Sequence, residues 1–209
     1  MENIMMPNTQ QNLFPSSSSE RNKMESLLGQ KSVVIWFTGL SGAGKTTLGR
    51  ILRDELFSRG FIAQMLDGDN LRSGLNKDLG FSVEDRIENI RRAAEVSKLF
   101  MESGIISINC FITPTEAIRA MARNIIGKEN LLEVFVDCPI DICQQRDTKG
   151  LYLKAKEGLI NDFTGVNSPF EIPQYSDIHL FTHIMHPYRC LEVLMEYILP
   201  RITYHKTGK

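Results

Sequence analysis

Gly39-Leu-Ser-Gly-Ala-Gly44-Lys45-Thr46 is the stretch of this chain best equipped for chemistry. Two glycines bracket four residues and Lys-Thr follows, which is the phosphate-loop pattern. The apolar run Val33-Val34-Ile35-Trp36-Phe37 leads in as a buried strand would. Leu48, Ile51, Leu52 and Leu56 lead out at helical spacing. A strand, a glycine loop and a helix start aim several backbone N–H groups at one concave point. That point favours negative charge, because unpaired amides and the helix dipole face it. Gly39, Ser41, Gly42, Ala43, Gly44 and Thr47 are the candidates to cradle nucleotide phosphates. Lys45 would reach the outer phosphates, and the Thr46 hydroxyl would ligate Mg²⁺.

Further polar sets follow in order. Asp67-Gly68-Asp69-Asn70 comes directly after a second strand signal; Gly68 lets the backbone turn between two carboxylates, one of which can sit near Mg²⁺ and orient a hydroxyl nucleophile. The same letters also suit an ordinary surface turn. Arg72, Arg86, Asn89 and Arg92 come next, with Arg86 and Asn89 three apart on one helix face. An arginine fork matches phosphate or sulfate oxygens, yet Glu84, Asp85 and Glu88 alongside equally suit a solvated charged face. Phe111-Ile112-Thr113-Pro114 ends a third strand at the same edge. The run from Arg146 and Asp147 to Pro173 is long and rich in Gly and Lys, as lids are. Its Lys149, Lys154 and Phe163 could close over phosphates and a base, or could be an ordinary solvated helix and loop.

These groups need elements to position them. Strand signals fall near 32–38, 62–66, 105–111, 132–137 and 178–181, and helix signals near 45–58, 83–103, 115–126, 140–146 and 187–199. Strands alternating with helices imply right-handed crossovers and a mostly parallel sheet covered on both faces. Ligands then bind beyond the carboxyl ends of the strands. Ser82 with Asp85 forms a variant capping box, and Pro187 suits a helix's first turn. Residues 1–31 are polar, with Ser16 to Ser19 in a row, and read as a flexible leader or an arm ordered only against a partner. The expected domain is 32–209, with a lid at about 147–173.

At 209 residues the chain is one domain with a substantial core. A net charge of −1 provides no overall basic field for nucleic acid. Cys110, Cys138, Cys143 and Cys190 lack zinc-site spacing and read as buried free thiols, which suits a cytoplasmic location. No apolar run is long enough to span a bilayer.

As an ordered set these motifs resemble the adenylylsulfate kinases. The pattern runs through Leu66-Asp-Gly-Asp-Asn-Leu-Arg72, Gly74-Leu-Asn-Lys-Asp-Leu-Gly-Phe81-Ser82, Asp85-Arg86, Glu88-Asn-Ile-Arg-Arg92, Arg146-Asp147, Lys149-Gly-Leu-Tyr152 and Phe163-Thr-Gly165. The resemblance covers residues 32 to about 181. It implies a three-layer α/β/α phosphate-loop fold with a five-stranded sheet and a lid. It implies transfer of the ATP γ-phosphoryl group to the 3′-hydroxyl of adenylyl sulfate, with Mg²⁺. Lys45 and Asp69 would be catalytic, with Asp69 orienting or deprotonating the hydroxyl and joining Thr46 at the metal. Arg72, Arg86 and Asn89 would hold the phosphosulfate, and Phe81 and Phe163 would sandwich its adenine. Ile112 and Thr113 would contact this substrate through their backbone, Lys149 and Lys154 would act from the lid, and Arg146 would lie near the ATP adenine. The resemblance further implies a homodimer and an ATP sulfurylase as functional partner in sulfate assimilation. Thr113 in place of serine, Thr148 in place of proline and Leu153 in place of a lid lysine depart from the family pattern.

Two other classes fit parts of the pattern. One is a small-molecule kinase of the same architecture acting on a sugar or nucleoside. The other is a nucleotide-binding regulatory domain without turnover. A GTPase switch lacks its Asn-Lys-x-Asp motif here.

Overall fold

The computed structural model describes residues 18–147, 149–160 and 162–205. Thr148 and the part of the expected leader before residue 18 lie outside them. The chain runs α1 (Ser18–Leu28), β1 (Val34–Thr38), α2 (Lys45–Ser58), β2 (Ala63–Asp67), α3 (Gly68–Ser73), α4 (Val83–Glu102), β3 (Ile106–Cys110), α5 (Glu116–Ile126), β4 (Leu131–Asp137), α6 (Ile140–Arg146), α7 (Leu151–Lys156), β5 (Ile178–Phe181) and α8 (Pro187–Ile202). The five strands pair in the order β2-β3-β1-β4-β5, and every pairing is parallel.

All of β1 and β3 is buried, as expected for a sheet covered on both faces. Ile35 and Phe37 pack on one side with Leu48, Leu52 and Leu56 of α2 and Leu194 and Ile198 of α8. Val34 and Trp36 pack on the other with Ile90, Ala93 and Ala94 of α4 and Ile118 and Ala122 of α5. The alternation of side chains along a strand thus divides β1 between two cores. β1 lies between β3 and β4: the chain passes from β1 to β2 on one side of it and later crosses from β3 to β4 on the other. That reversal opens a crevice at its carboxyl end.

The expectation of a flexible leader is corrected for residues 18–31. Arg21 of α1 donates to Asn130 Oδ1 at 2.7 Å and to the Ser32 carbonyl at 2.6 Å. Glu25 is buried and accepts from the Ser32 amide at 2.9 Å and from Lys31 at 2.8 Å. Gln30 donates to the carbonyls of Ile62 and Gly104, and bridges to Thr203. The segment is polar because its partners are buried polar groups, a feature that local composition does not distinguish from disorder.

The helix starts divide. Pro187 is at the first turn of α8 after His186. Ser82 caps α4 by accepting from the Asp85 amide at 3.1 Å, but the return bond of a capping box is absent. The Asp85 carboxylate instead accepts from the Gly80 amide at 2.9 Å, tying the preceding loop to the helix.

Candidate active site

The glycine loop joins β1 to α2 at the crevice. Gly39 has φ 149°, and a Cβ there would lie 2.4 Å from the Val136 carbonyl oxygen. Gly42 has φ 76°, and a Cβ there would lie 2.9 Å from the Cys143 carbonyl oxygen. Both positions therefore require glycine, by backbone angle and by space. Lys45 is buried and donates from Nζ to the carbonyls of Gly39 at 2.9 Å and Leu40 at 2.7 Å. Burial, with the Lys149 cation nearby, pushes its pKa down to about 8, against the opposing pull of Cys110, Cys143 and Asp67. The Ser41 carbonyl accepts from the Tyr152 hydroxyl of α7 at 2.9 Å, so α7 is braced on the loop. Arg146 donates to Gly42 and Thr182 carbonyls, and the Thr182 hydroxyl donates to the Ala43 carbonyl at 2.7 Å. Arg146 thus borders the loop from the β5 side. Thr47 is exposed at the start of α2.

The two carboxylates after β2 face different partners. The Thr46 hydroxyl donates to Asp67 Oδ2 at 2.7 Å, so Asp67 rather than Asp69 is the carboxylate at the threonine. Asp67 is the last residue of β2, and its other oxygen accepts from the Asp69 amide at 3.1 Å, opening α3. That turn throws the Asp69 side chain outward, where it is exposed and forms an ion pair with Lys149. Of the expected metal pair, Thr46 therefore faces Asp67, while Asp69 stands apart: a strand-end residue faces the loop, whereas a residue two further on has already turned away. Two oxygens of this kind, completed by phosphate oxygens and water, fit the hard-donor preference of Mg²⁺. Among the described residues there is no cluster of three or more His, Cys, Asp or Glu groups that could hold a metal ion alone.

The cationic groups gather beside Asp69. The Arg72 guanidinium lies 4.5 Å from the Phe81 ring centroid and donates to the Leu79 and Gly80 carbonyls. Burial first, and then the Arg86 cation, lower its pKa, while Asp85 and Asp69 act in the opposite sense. Arg86 donates to the Phe81 carbonyl at 3.0 Å, to the Thr164 hydroxyl at 2.9 Å and to the Asp162 carbonyl. It therefore ties the α4 entrance to Asp162 and Thr164. Asn89 is buried behind it. Arg92, on the same helix, is engaged by Asp78 and Glu88 and belongs to the solvated face.

The two rings expected to sandwich the adenine differ in exposure. Phe81 is exposed, but Phe163 is buried and packs edge-on against Tyr152, with centroids 4.9 Å apart. Phe163 joins the core with Tyr152, so of the two rings Phe81 alone is exposed. Lys154 is on the exposed side of α7, without an ion pair among the described residues.

The strand-end turn is held tightly. The Ile112 carbonyl accepts from the Gly39 amide at 3.3 Å and from the Thr38 hydroxyl at 2.7 Å. Thr113 has φ 46°, is buried, and accepts at Oγ1 from Trp36 Nε1 at 3.0 Å. Buried Arg119 donates to its carbonyl at 3.1 Å. Trp36, Arg119, Tyr152 and Asp67 carry these arrangements. The sequence offered only the strand-end position of Asp67 as a signal. A cavity of about 630 Å³ lies beyond β4, lined by Leu40, Phe135, Ile140, Asn167 and Phe170 among others. Lys45, Asp69, Arg72 and Arg86 do not line it, so it flanks the site.

Comparison with known proteins agrees with this geometry. The family model described as "Adenylylsulphate kinase" matches residues 31–181. An adenylyl-sulfate kinase of Bacteroides thetaiotaomicron is 54% identical over 182 residues, covering 87% of this chain and 90% of that protein. One from Clostridium kluyveri is 49% identical over 179 residues, covering 86% and 89%. Among solved structures, an APS kinase of Mycobacterium tuberculosis in complex with AMPPNP and APS superposes with a TM-score of 0.78 at 38% identity, covering 81% of this chain and 98% of that one. A phosphate loop, a carboxylate turn and an arginine-bearing helix converge at one sheet edge, and the likeness extends over nearly the whole fold: the chain belongs to the adenylylsulphate kinase family.

Proposed function

We propose that this protein transfers the γ-phosphoryl group of ATP to the 3′-hydroxyl of adenylyl sulfate, giving 3′-phosphoadenylyl sulfate and ADP. The observation that carries the reading is the juxtaposition of Asp69 and Lys149 beside Lys45 and the Arg72–Arg86 pair. Phosphoryl transfer asks the protein for positioning and charge stabilisation more than for covalent chemistry. The loop amides and Lys45 face the charge on the transferring group. Asp69, exposed at the mouth, orients the attacking hydroxyl and accepts its proton. Arg72, Arg86 and Asn89 hold the phosphosulfate, and Phe81 offers its face to the adenine. The backbone of Ile112 and Thr113 borders the acceptor, and Arg146 the ATP base. Thr46 and Asp67 would hold Mg²⁺, which would offset phosphate charge there. Residues 147–173 act as the lid, with Lys149 and Lys154 turned to the nucleotides on closure.

An ATP sulfurylase reaction makes the acceptor this chemistry needs, so we place the protein in sulfate assimilation, in the cytoplasm. No helix among the described residues is long and apolar enough to cross a membrane. Light scattering tests the homodimer. The function itself is tested by coupled ADP release with ATP, Mg²⁺ and a panel of acceptors. Rapid release with adenylyl sulfate alone is expected; equal release with a sugar or nucleoside, or none with any acceptor, would sink the reading.

A further inference from the structure

Asn76 lies in the loop between α3 and α4 and is wholly buried. Its amide donates to the Leu71 carbonyl at 2.7 Å, and its carbonyl accepts from the Leu79 amide at 3.0 Å. The loop is held from outside by Arg72 on Leu79 and Gly80, and by Arg92 on Asp78. The Asn76 backbone therefore has little freedom.

Its side chain makes one hydrogen bond. Nδ2 donates to Asn89 Oδ1 at 3.0 Å, and Asn76 Oδ1 is buried without a partner. Two carboxamides can meet in either sense. In the sense seen here, the Asn89 carbonyl is turned toward the loop. Its NH₂ is left over, with no acceptor among the described residues. Asn89 is one turn along α4 from Arg86, on the same face. An anion beside these arginines needs donors, and the reverse pairing would present it with a carbonyl oxygen.

A buried amide with an orphan oxygen is also a poor device for packing. An apolar side chain of the same size would fill the space without leaving a polar atom unpaired. We propose that Asn76 is a positioning residue that fixes the Asn89 carboxamide so that its NH₂ donates to an anionic oxygen of the acceptor. The anion is the phosphosulfate if the reading of adenylyl sulfate as acceptor holds, and the inference rests on that reading.

Asn76→Leu removes the donor and the orphan oxygen together. The expected result is a KM for adenylyl sulfate raised at least about tenfold, as for loss of one hydrogen bond to a charged group. The KM for ATP and the melting temperature should be nearly unchanged. Asn76→Asp is the second arm. An ionised carboxylate only accepts, so it turns the Asn89 NH₂ away from the site. Its protonated form carries an O–H that can donate to Asn89 Oδ1 and restore the arrangement. Burial raises the pKa of such a carboxyl, so lowering the pH from 8 to 5.5 should recover affinity in this variant relative to the unsubstituted protein. Equilibrium titration with adenylyl sulfate is run alongside turnover. Wild-type turnover with unchanged affinity in both variants overturns the positioning role alone. Wild-type binding without turnover overturns the reaction, and the affinity ratio still tests Asn76. Absence of wild-type binding overturns both.

Discussion

Lys149 Nζ, from the segment before α7, is paired with Asp69 Oδ2, from the turn after β2. The two residues are eighty positions apart in sequence. Both are largely exposed, so the pair adds little to stability. Its meaning is positional: the Lys149 cation and the carboxylate that would receive a proton stand at one mouth. Asp69→Asn should therefore lower kcat at least about a hundredfold, the lower end of what a general base contributes, with an unchanged melting curve. Near-normal turnover of the purified variant would remove Asp69 from that role.

Lys45 links activity to pH. Its folded pKa is near 8, below the ordinary 10.5, because burial disfavours the charged form. In the proposed reaction the cation is the form that binds ATP. Affinity for ATP should hold below pH 8 and fall above it, approaching about tenfold per pH unit. The lowered pKa also means that the unfolded chain binds the proton more tightly, so this group's penalty on stability is full below pH 8 and is relieved between 8 and 10.5. Lys45→Met should abolish both dependences relative to the unsubstituted protein. Calorimetric titration of ATP from pH 7 to 9.5 reads the first, and a flat wild-type profile would contradict it.

Asp67→Asn should raise the Mg²⁺ concentration for half-maximal activity by about tenfold or more, because it removes the carboxylate charge next to Thr46. Asp69→Asn should leave that concentration nearly unchanged. A metal-titration series on the two variants separates them, and the opposite pattern would return the metal role to Asp69.

Arg86 bonds at once to Phe81, Asp162 and Thr164. Lysine keeps the charge but not the fork. Arg86→Lys should raise the KM for adenylyl sulfate about tenfold or more, equivalent to about 1.4 kcal/mol, with a smaller effect on that for ATP. Equal changes in both constants would mean that the arginine serves the fold rather than the acceptor.

Glu25 anchors the segment that composition marked as a leader. Burial alone would raise its pKa, but Lys31, the Ser32 amide and hydroxyl, and Arg21 together hold it below 4.5. A lowered folded pKa means that its contribution is fully present above 4.5 and is lost as pH falls through the folded value. Glu25→Gln should cost about 2 kcal/mol at neutral pH and reduce the acid sensitivity of unfolding. Urea titrations at pH 7 and pH 4 check both; identical curves for the two proteins would show that α1 docks without this carboxylate.

The five strands and the five longer helices of the domain from 32 onward were legible because each carries its own period or punctuation. Val33 to Phe37 is an unbroken apolar run, and Leu48, Leu52 and Leu56 repeat at helical spacing. Short α3 and α7 were not legible, since six residues show less than two turns of pattern. The capping box failed at Asp85 because loop shape decides which amide a carboxylate meets, and here it meets that of Gly80.

The sequence by itself determined the order of the five strands and the five longer helices, the glycine loop with Lys45 and Thr46, and the arginines of the fourth helix. These depend on positions no more than a few residues apart, where backbone geometry alone dictates which side chains meet. Only the tertiary structure decided that Asp67 and not Asp69 stands at Thr46, that Lys149 reaches Asp69, that Phe163 closes on Tyr152, that Asn76 holds Asn89, and that α1 docks through Glu25. Most of those contacts join residues distant in the chain, and the Asp67 choice turns on which way a short strand ends. Packing of the three layers settles them, and no local spacing encodes it.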